Sequence, residues 1–304
     1  MSSLGLPAMA ATARRFFERI RRPIGLQLYT LGEEAARDLD ATFATVARIG
    51  YRDIELPSLY GRTPQVLRAA ADRAGLAISS LHLPVTPNTV ASGALTMTSP
   101  VAQIAESLGA LGAKRAVLPI APFPANSRPL PGETRQGAIA RAFAEAGDGL
   151  WKRTAALLNE RGSALKSAGV QVGYHNHNVE FAPIGQTSGW DILVGETDPA
   201  LVHFEIDTGW VVAAGLDPIA FLGKLKGRVA QLHVKDVAAI DAPDFALSMK
   251  PAQVGTGKLD WARILPAAHA AGARHFYVEQ EPPFPGPRID AVRGSYAFLS
   301  QLRA

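Results

Sequence analysis

The chain has 304 residues, 47% hydrophobic and 19% charged, with a formal net charge of +4 and no cysteine. This suits one large or two small globular domains, and no apolar run nears the roughly 18 residues that cross a bilayer. The lack of cysteine excludes disulfides, thiolate ligands and a thiol nucleophile, and the small charge, without a basic stripe beyond residue 22, argues against nucleic acid as a partner.

Residues 1–13, MSSLGLPAMAATA, lack a basic region ahead of their mildly apolar stretch, so no signal peptide is expected. A cytoplasmic location follows, with export the alternative if the true start lies upstream. RRFFERIRR at 14–22 reads as a solvated tail or a short helix and could support a homo-oligomer. Residues 1–22 are therefore taken as a basic N-terminal extension, and 23–304 as a single domain.

From residue 23 onward, short apolar runs alternate with helical stretches. Strands are expected at 23–29, 51–56, 76–83, 113–120, 169–176, 201–207, 228–236 and 273–280. Helices are expected at 33–50, 63–75, 99–112, 136–168, 217–227, 259–272 and 288–302; the second has a Thr cap, a first-turn Pro and a closing Gly. Eight strands alternating with helices predict an α/β fold, a closed (β/α)8 TIM barrel. No GxGxxG follows a strand; the first runs into YTLGEE, against a dinucleotide site. The connections 83–98, 121–134 and 237–258 are long and all follow strands. In a barrel they gather at the C-terminal mouth, where such folds carry their sites.

Strand side chains alternate faces. RVAQLHVKD puts Gln231, His233 and Lys235 on one face, and LVHFEID puts His203, Glu205 and Asp207 together. Tyr277, Glu279 and Glu281 align in the last strand, Asp53 and Glu55 in the second, Ser80 and His82 in the third. The apolar faces must meet the outer helices, so the polar faces point inward. Tyr29, Glu55, His82, His175, Asp207, His233 and Glu279 then converge near the mouth. So many ionisable groups in a low-dielectric volume need pairing or a cation. His203 and Glu205 are expected deeper, as a buried polar pair.

With GLQLYTL, YHNHxxEF, EIDTGW, LHVKD and VEQE at successive strand ends, residues 23–302 resemble the xylose-isomerase-like TIM barrels of the sugar phosphate isomerase/epimerase family. The resemblance implies a divalent metal held by one ligand from each of strands five to eight. Asp207, His233 and Glu279 match three positions, and His175 stands where a glutamate is usual. It implies an isomerase or epimerase of a sugar, sugar phosphate or polyol-derived keto compound, acting by proton transfer through a metal-stabilised enediolate. The HNH motif also resembles a subgroup of lyases and dehydratases acting on an inosose or a 3-keto-glycoside, which is the alternative. Two imidazoles and two carboxylates suit Mn2+, Co2+ or Zn2+, with Mg2+ a further candidate.

The partner is a small carbohydrate. Glu279 and His177 are the candidate acid–base groups, with His175 third if it is not a ligand. Tyr29, Glu55 and His82 are placed to bind substrate hydroxyls. Trp210 could stack on a sugar face or pack a loop. Lys235 could hold an oxyanion or phosphate, or pair with an interior acid. Glu180 is read as a loop brace rather than a catalytic group, and no function is expected for His269 or His275. An endonuclease and a non-catalytic sugar-binding barrel are the competing classes.

Overall fold

Eight parallel strands close into a barrel in the computed structural model, which describes residues 14–85, 94–239 and 242–304. They are β1 Gly25–Gln27, β2 Asp53–Leu56, β3 Ala77–His82, β4 Arg115–Leu118, β5 Gln171–His175, β6 Val202–Asp207, β7 Val229–Val234 and β8 His275–Val278. Each pairs with its sequence neighbours, and β1 closes the ring on β8 through Gly25 opposite Tyr277. A Cβ at Gly25 would lie 2.6 Å from the Tyr277 ring, so this closure needs glycine. The reading of residues 1–13 falls outside the described residues.

The strands lie within the expected spans, and the connections hold more structure than expected. The helix foreseen at 33–50 is two, Gly32–Arg37 and Leu39–Ile49, because Asp38 turns extended and caps the second through the Ala41 amide at 2.9 Å. Thr63 caps Pro64–Ala74, and Gly75 ends it in a left-handed conformation. The long helix Arg135–Lys166 breaks at Gly147. Two helices were not foreseen: Gly189–Glu196, capped by Ser188, and Thr208–Ala213, capped by Asp207. Both are short, so the cap and the docking of a few apolar residues decide them rather than periodicity.

Two bulges preserve the inward parity. The β2–β3 register shifts after Ile54, so that Glu55 faces Ser80, and the β6–β7 register shifts after Phe204, so that Glu205 faces Gln231. Without these extra residues, the polar faces of β3 and β7 would be out of step with their partners.

The described part of the basic extension forms a helix, Phe16–Ile20. Its arginines face water while Phe16 and Phe17 are buried, with the Phe16 ring 5.9 Å from Phe276 of β8. The Phe16 amide donates to the Leu302 carbonyl at 2.8 Å, tying the two ends of the described chain. Replacing Phe16 by Ala should destabilise the fold by about 3–5 kcal/mol, a fully buried aromatic being lost. A urea titration checks this, and an unchanged midpoint would show the segment to be an appendage.

Candidate functional site

The strand ends surround a cavity of about 460 Å³ at the C-terminal mouth. Its floor and polar wall carry Gln27, His82, His175, His177, Glu279 and Glu281. Its apolar rim comes from the long connections, with Pro84 from the first, Phe123 from the second, and Leu247 and Met249 from the third. Tyr29 and Trp210 complete the opening. Of the residues singled out from sequence, Tyr29, His82, His175, His177, Trp210 and Glu279 line the cavity. Glu55, Asp207, His233 and Lys235 are buried and do not line it.

Asp207 is placed by both backbone and side chain. Its Oδ1 caps Thr208–Ala213 by accepting the Trp210 amide at 3.1 Å, leaving Oδ2 to face the barrel. Asn176 holds the neighbouring backbone, accepting the Asp207 amide at 2.9 Å. Gly209 lets the Lys235 stem pass: a Cβ there would lie 2.9 Å from Lys235 Cγ. Lys235 Nζ then reaches Asp207 Oδ2 at 2.8 Å, Glu279 Oε2 at 3.0 Å and Glu281 Oε1 at 3.1 Å.

His233 joins two tiers. Its Nδ1 lies 2.6 Å from Glu279 Oε2 and 3.7 Å from Asp207 Oδ2, and its Nε2 lies 2.6 Å from Glu55 Oε2 and 3.0 Å from Glu205 Oε1. His82 Nε2 approaches Glu205 Oε1 at 2.9 Å and Glu55 Oε2 at 3.3 Å. The pair expected between His203 and Glu205 does not form among the described contacts. Glu205 instead meets His82, His233 and Gln231, while His203 sits one layer lower and half-buried. Gln231 Nε2 donates to Glu205 at 2.6 Å, to Ser80 at 3.0 Å and to Glu55 at 3.1 Å.

Charge follows this geometry. Burial opposes the ionised form of Glu279, yet Lys235 and His233 hold its carboxyl well below the usual range. Burial likewise works against charge on His233, but Glu205 and Glu279 keep it protonated well above the ordinary histidine value. His82 is raised to about 9 against its own burial, by Glu55 and Glu205. His175 and His177 go the other way: burial lowers both, with His233 reinforcing it for the first and Lys235 for the second, which falls to about 3. Both are therefore neutral imidazoles among cations. Burial raises the Glu281 carboxyl, and partial burial with the nearby Glu281 and Glu279 pushes the Tyr29 hydroxyl up to about 12.

Ligand atoms of His175, Asp207, His233 and Glu279 lie within 4.8 Å of one another, a nitrogen–oxygen set of the size that holds a divalent ion. The residues fit such an ion, because Lys235 Nζ already sits as a cation between Asp207 and Glu279, and His175 turns its Nε2 toward Asp207 Oδ2 at 4.0 Å while its Nδ1 lies 3.2 Å from Glu205. His82, His175, Glu205 and His233 form a second group at the same spacing, one tier lower. Glu281 and Gln27 also face the cavity and were not singled out as site residues. Strand parity had aligned Glu281 with Glu279, the same alternation applied to the first strand aligns Gln27 with Tyr29, and that signal could have found both.

A family model described as "Xylose isomerase-like TIM barrel" matches residues 43–302. The chain belongs to the xylose isomerase-like TIM barrel family. Among curated family relatives, inosose dehydratase of Clostridium beijerinckii is 36% identical over 89 residues, 29% of this chain and 29% of that protein. Inosose dehydratase of Lacticaseibacillus casei is 28% identical over 148 residues, 44% of this chain and 49% of that protein. The match thus spans less than half of either relative. Two solved structures share the barrel. A sugar phosphate isomerase/epimerase from Parabacteroides distasonis has a TM-score of 0.67 at 24% identity, over 97% of this chain and 96% of that one. The IolI protein with a bound zinc atom has a TM-score of 0.61 at 15% identity, over 90% and 95%.

In this family member the opening of the fifth connection hangs on Glu180, which is fully buried and pushed up by that burial to about 7. It accepts the Tyr174 hydroxyl at 2.6 Å and the His177 amide at 2.9 Å. Glu180→Ala should cost about 2–4 kcal/mol by leaving two buried donors without that acceptor. Thermal unfolding checks this, and an unchanged midpoint would remove Glu180 as the brace of His177.

Proposed function

We propose that the protein is a divalent-metal-dependent isomerase or epimerase, moving a proton beside the carbonyl of a keto sugar, sugar phosphate or keto polyol by way of an enediolate. The observation that carries this reading is the four-strand set His175, Asp207, His233 and Glu279, which is buried yet reaches the cavity through His175 and Glu279. Its mixed nitrogen and oxygen donors suit Mn2+, Co2+ or Zn2+ better than Ca2+, and the zinc in the IolI structure supports an ion of that kind. When bound, such an ion supplies Lewis-acid polarisation of a carbonyl and its neighbouring hydroxyl. A small carbohydrate partner and a cytoplasmic location belong to the same reading.

The chain's own groups divide the remaining work. His177 is neutral and stands on the cavity wall, so it is the group assigned to accept a proton from substrate carbon. Lys235 remains an ammonium, since Asp207, Glu279 and Glu281 raise it against burial, and from beneath the cavity wall it offsets the charge of those three carboxylates. Tyr29 keeps its proton and can donate to a substrate hydroxyl at the mouth. Glu279 is tied to both His233 and Lys235 whereas Glu281 meets Lys235 alone and lines the cavity, so Glu281 is the carboxyl better placed to return a proton.

A second reading, elimination of water from an inosose or of the leaving group from a 3-keto-glycoside, has support of its own. Strand five ends in His175 rather than a carboxylate, so it supplies no glutamate as a partner to Glu279 for a symmetric carboxylate pair. The relatives named inosose dehydratase point the same way. Keto sugars and an inosose incubated in D2O separate the two. Deuterium beside the carbonyl without loss of water is expected of an isomerase or epimerase, and an enone absorbance of a lyase; neither product would sink both.

Metal analysis tests the centre itself. Wild type should hold a stoichiometric divalent ion, and Asp207→Ala and Glu279→Ala should each lose most of it, with turnover falling by at least about 10²-fold. Equal metal in all three proteins would remove these residues as ligands. The pH dependence has a definite sign. An ion at His233 Nδ1 must displace the proton that Glu205 and Glu279 hold on that ring, so Zn2+ affinity should rise with pH, by about tenfold per unit for one proton. Titrations at about pH 6 and pH 8 check it, and equal affinity would count against His233 as a ligand.

A further inference from the structure

Glu55 was expected to meet substrate hydroxyls, but it is fully buried and lies below the cavity. Every polar neighbour within hydrogen-bond reach is a donor or can act as one. Gln27 Nε2 lies 3.0 Å from Oε2 and Gln231 Nε2 lies 3.1 Å from Oε1. The orientation of the Gln27 amide is fixed from its other side, where its oxygen accepts the Tyr29 backbone amide at 3.1 Å. The shortest contact is to His233 Nε2, at 2.6 Å. A carboxylate, which only accepts, fits this surround; an amide at position 55 would turn one N–H group toward other donors.

The other face of the His233 ring points to the upper tier, with Nδ1 directed at Glu279 and Asp207. A neutral imidazole carries its proton on one nitrogen and offers a lone pair on the other. The upper and lower ligand groups both need His233, through opposite nitrogens, and a ring that gives up one proton to an ion keeps the other, so it cannot serve both. The one carboxylate of the lower group, Glu205, already takes the Gln231 amide at 2.6 Å and His82 Nε2 at 2.9 Å, and Glu55 beside it takes the Gln27 and Gln231 amides. Both groups reach the cavity, the upper through His175 and Glu279 and the lower through His82 and His175, but the upper is the one whose two carboxylates already hold a cation between them, Lys235 Nζ at 2.8 and 3.0 Å. The lower tier is therefore the support and the upper tier the site.

We propose that Glu55 is a positioning residue that holds the His233 proton on Nε2 and so presents Nδ1 to the space between His175, Asp207 and Glu279. The proposal rests on the metal reading above for its purpose, though the bond to Glu55 can be measured without metal. Glu205, 3.0 Å from the same Nε2, is the weaker second acceptor. Carboxylates that orient ligand histidines in this way are worth about 10–100-fold in metal affinity.

The test combines histidine 15N NMR, with the His233 signals assigned by their loss in His233→Gln, and Zn2+ titration against a chelator. In metal-free wild type, His233 Nε2 should be protonated, with a proton shifted downfield by its short bond to a carboxylate. In Glu55→Gln that proton should move upfield, and Zn2+ affinity should fall by about 10–100-fold. Glu55→Asp, which keeps the charge but draws it back, should fall between. An unprotonated Nε2 in wild type would overturn the proposal whether or not either variant folds. So would an unshifted proton or an unchanged affinity in Glu55→Gln. Absence of Zn2+ binding by wild type would sink the metal reading, while the NMR result would still decide what Glu55 does.

Discussion

Five carboxylates share the upper half of the barrel: Glu55, Glu205, Asp207, Glu279 and Glu281. An ionised carboxylate alone in such an interior costs several kcal/mol, so the fold must bring compensating charge and donors to within contact distance of each. His82, His233 and Lys235 supply the positive charge, while Gln27 and Gln231 supply neutral donors. The partners come from different strands, so no strand can slip by one residue without turning its polar row into the helices. The two bulges look like defects of register and are what keep β3 and β7 in phase with that requirement.

Much of this was legible in the sequence, for one reason. A strand buried on both sides normally reads as a continuous apolar run, whereas here polar residues recur at every second position in several strands. That pattern places His82, Asp207, His233 and Glu279 on inward faces, and strand order then brings them together. The pattern says nothing of depth. Glu55 and His82 look equivalent by parity, yet one lies beneath the cavity and the other lines it, because Glu55 is in register with Ser80, two residues below His82. Likewise, parity aligned His203 with Glu205 but could not show that residues of neighbouring strands, and not of the same one, are the nearest partners. The helices at Gly189–Glu196 and Thr208–Ala213 were missed because six to eight residues carry little periodicity. Asp207 had already been read as a candidate ligand, which hid its second use as a cap.

The run His175-Asn-His-Asn178 shows how much one short motif arranges. His175 contributes to the upper tier and is kept neutral by burial and its cationic neighbours. Asn176 pins the end of β6 beside it. His177 reaches the cavity wall, its ring 5.2 Å from Trp210. Asn178 points away from the barrel: its amide donates to Asp244 at 2.8 Å, and its oxygen accepts the Leu247 amide at 3.0 Å. The two histidines thus turn toward the cavity, while the two asparagines fasten neighbouring segments.

That last contact bears on how such a barrel can diversify. The connection carrying Leu247 and Met249 is fastened at one end by Asp236, which accepts the amides of Gly255, Gly257 and Leu259, and in the middle by Asn178. Neither anchor touches the cavity, and the residues facing the ligand hang between them. The rim can thus drift in sequence under selection for a new substrate while its moorings, and the charged floor beneath, stay as they are. The rim and the charged floor are separately heritable in this architecture, and one scaffold can change what its mouth admits without rebuilding its core.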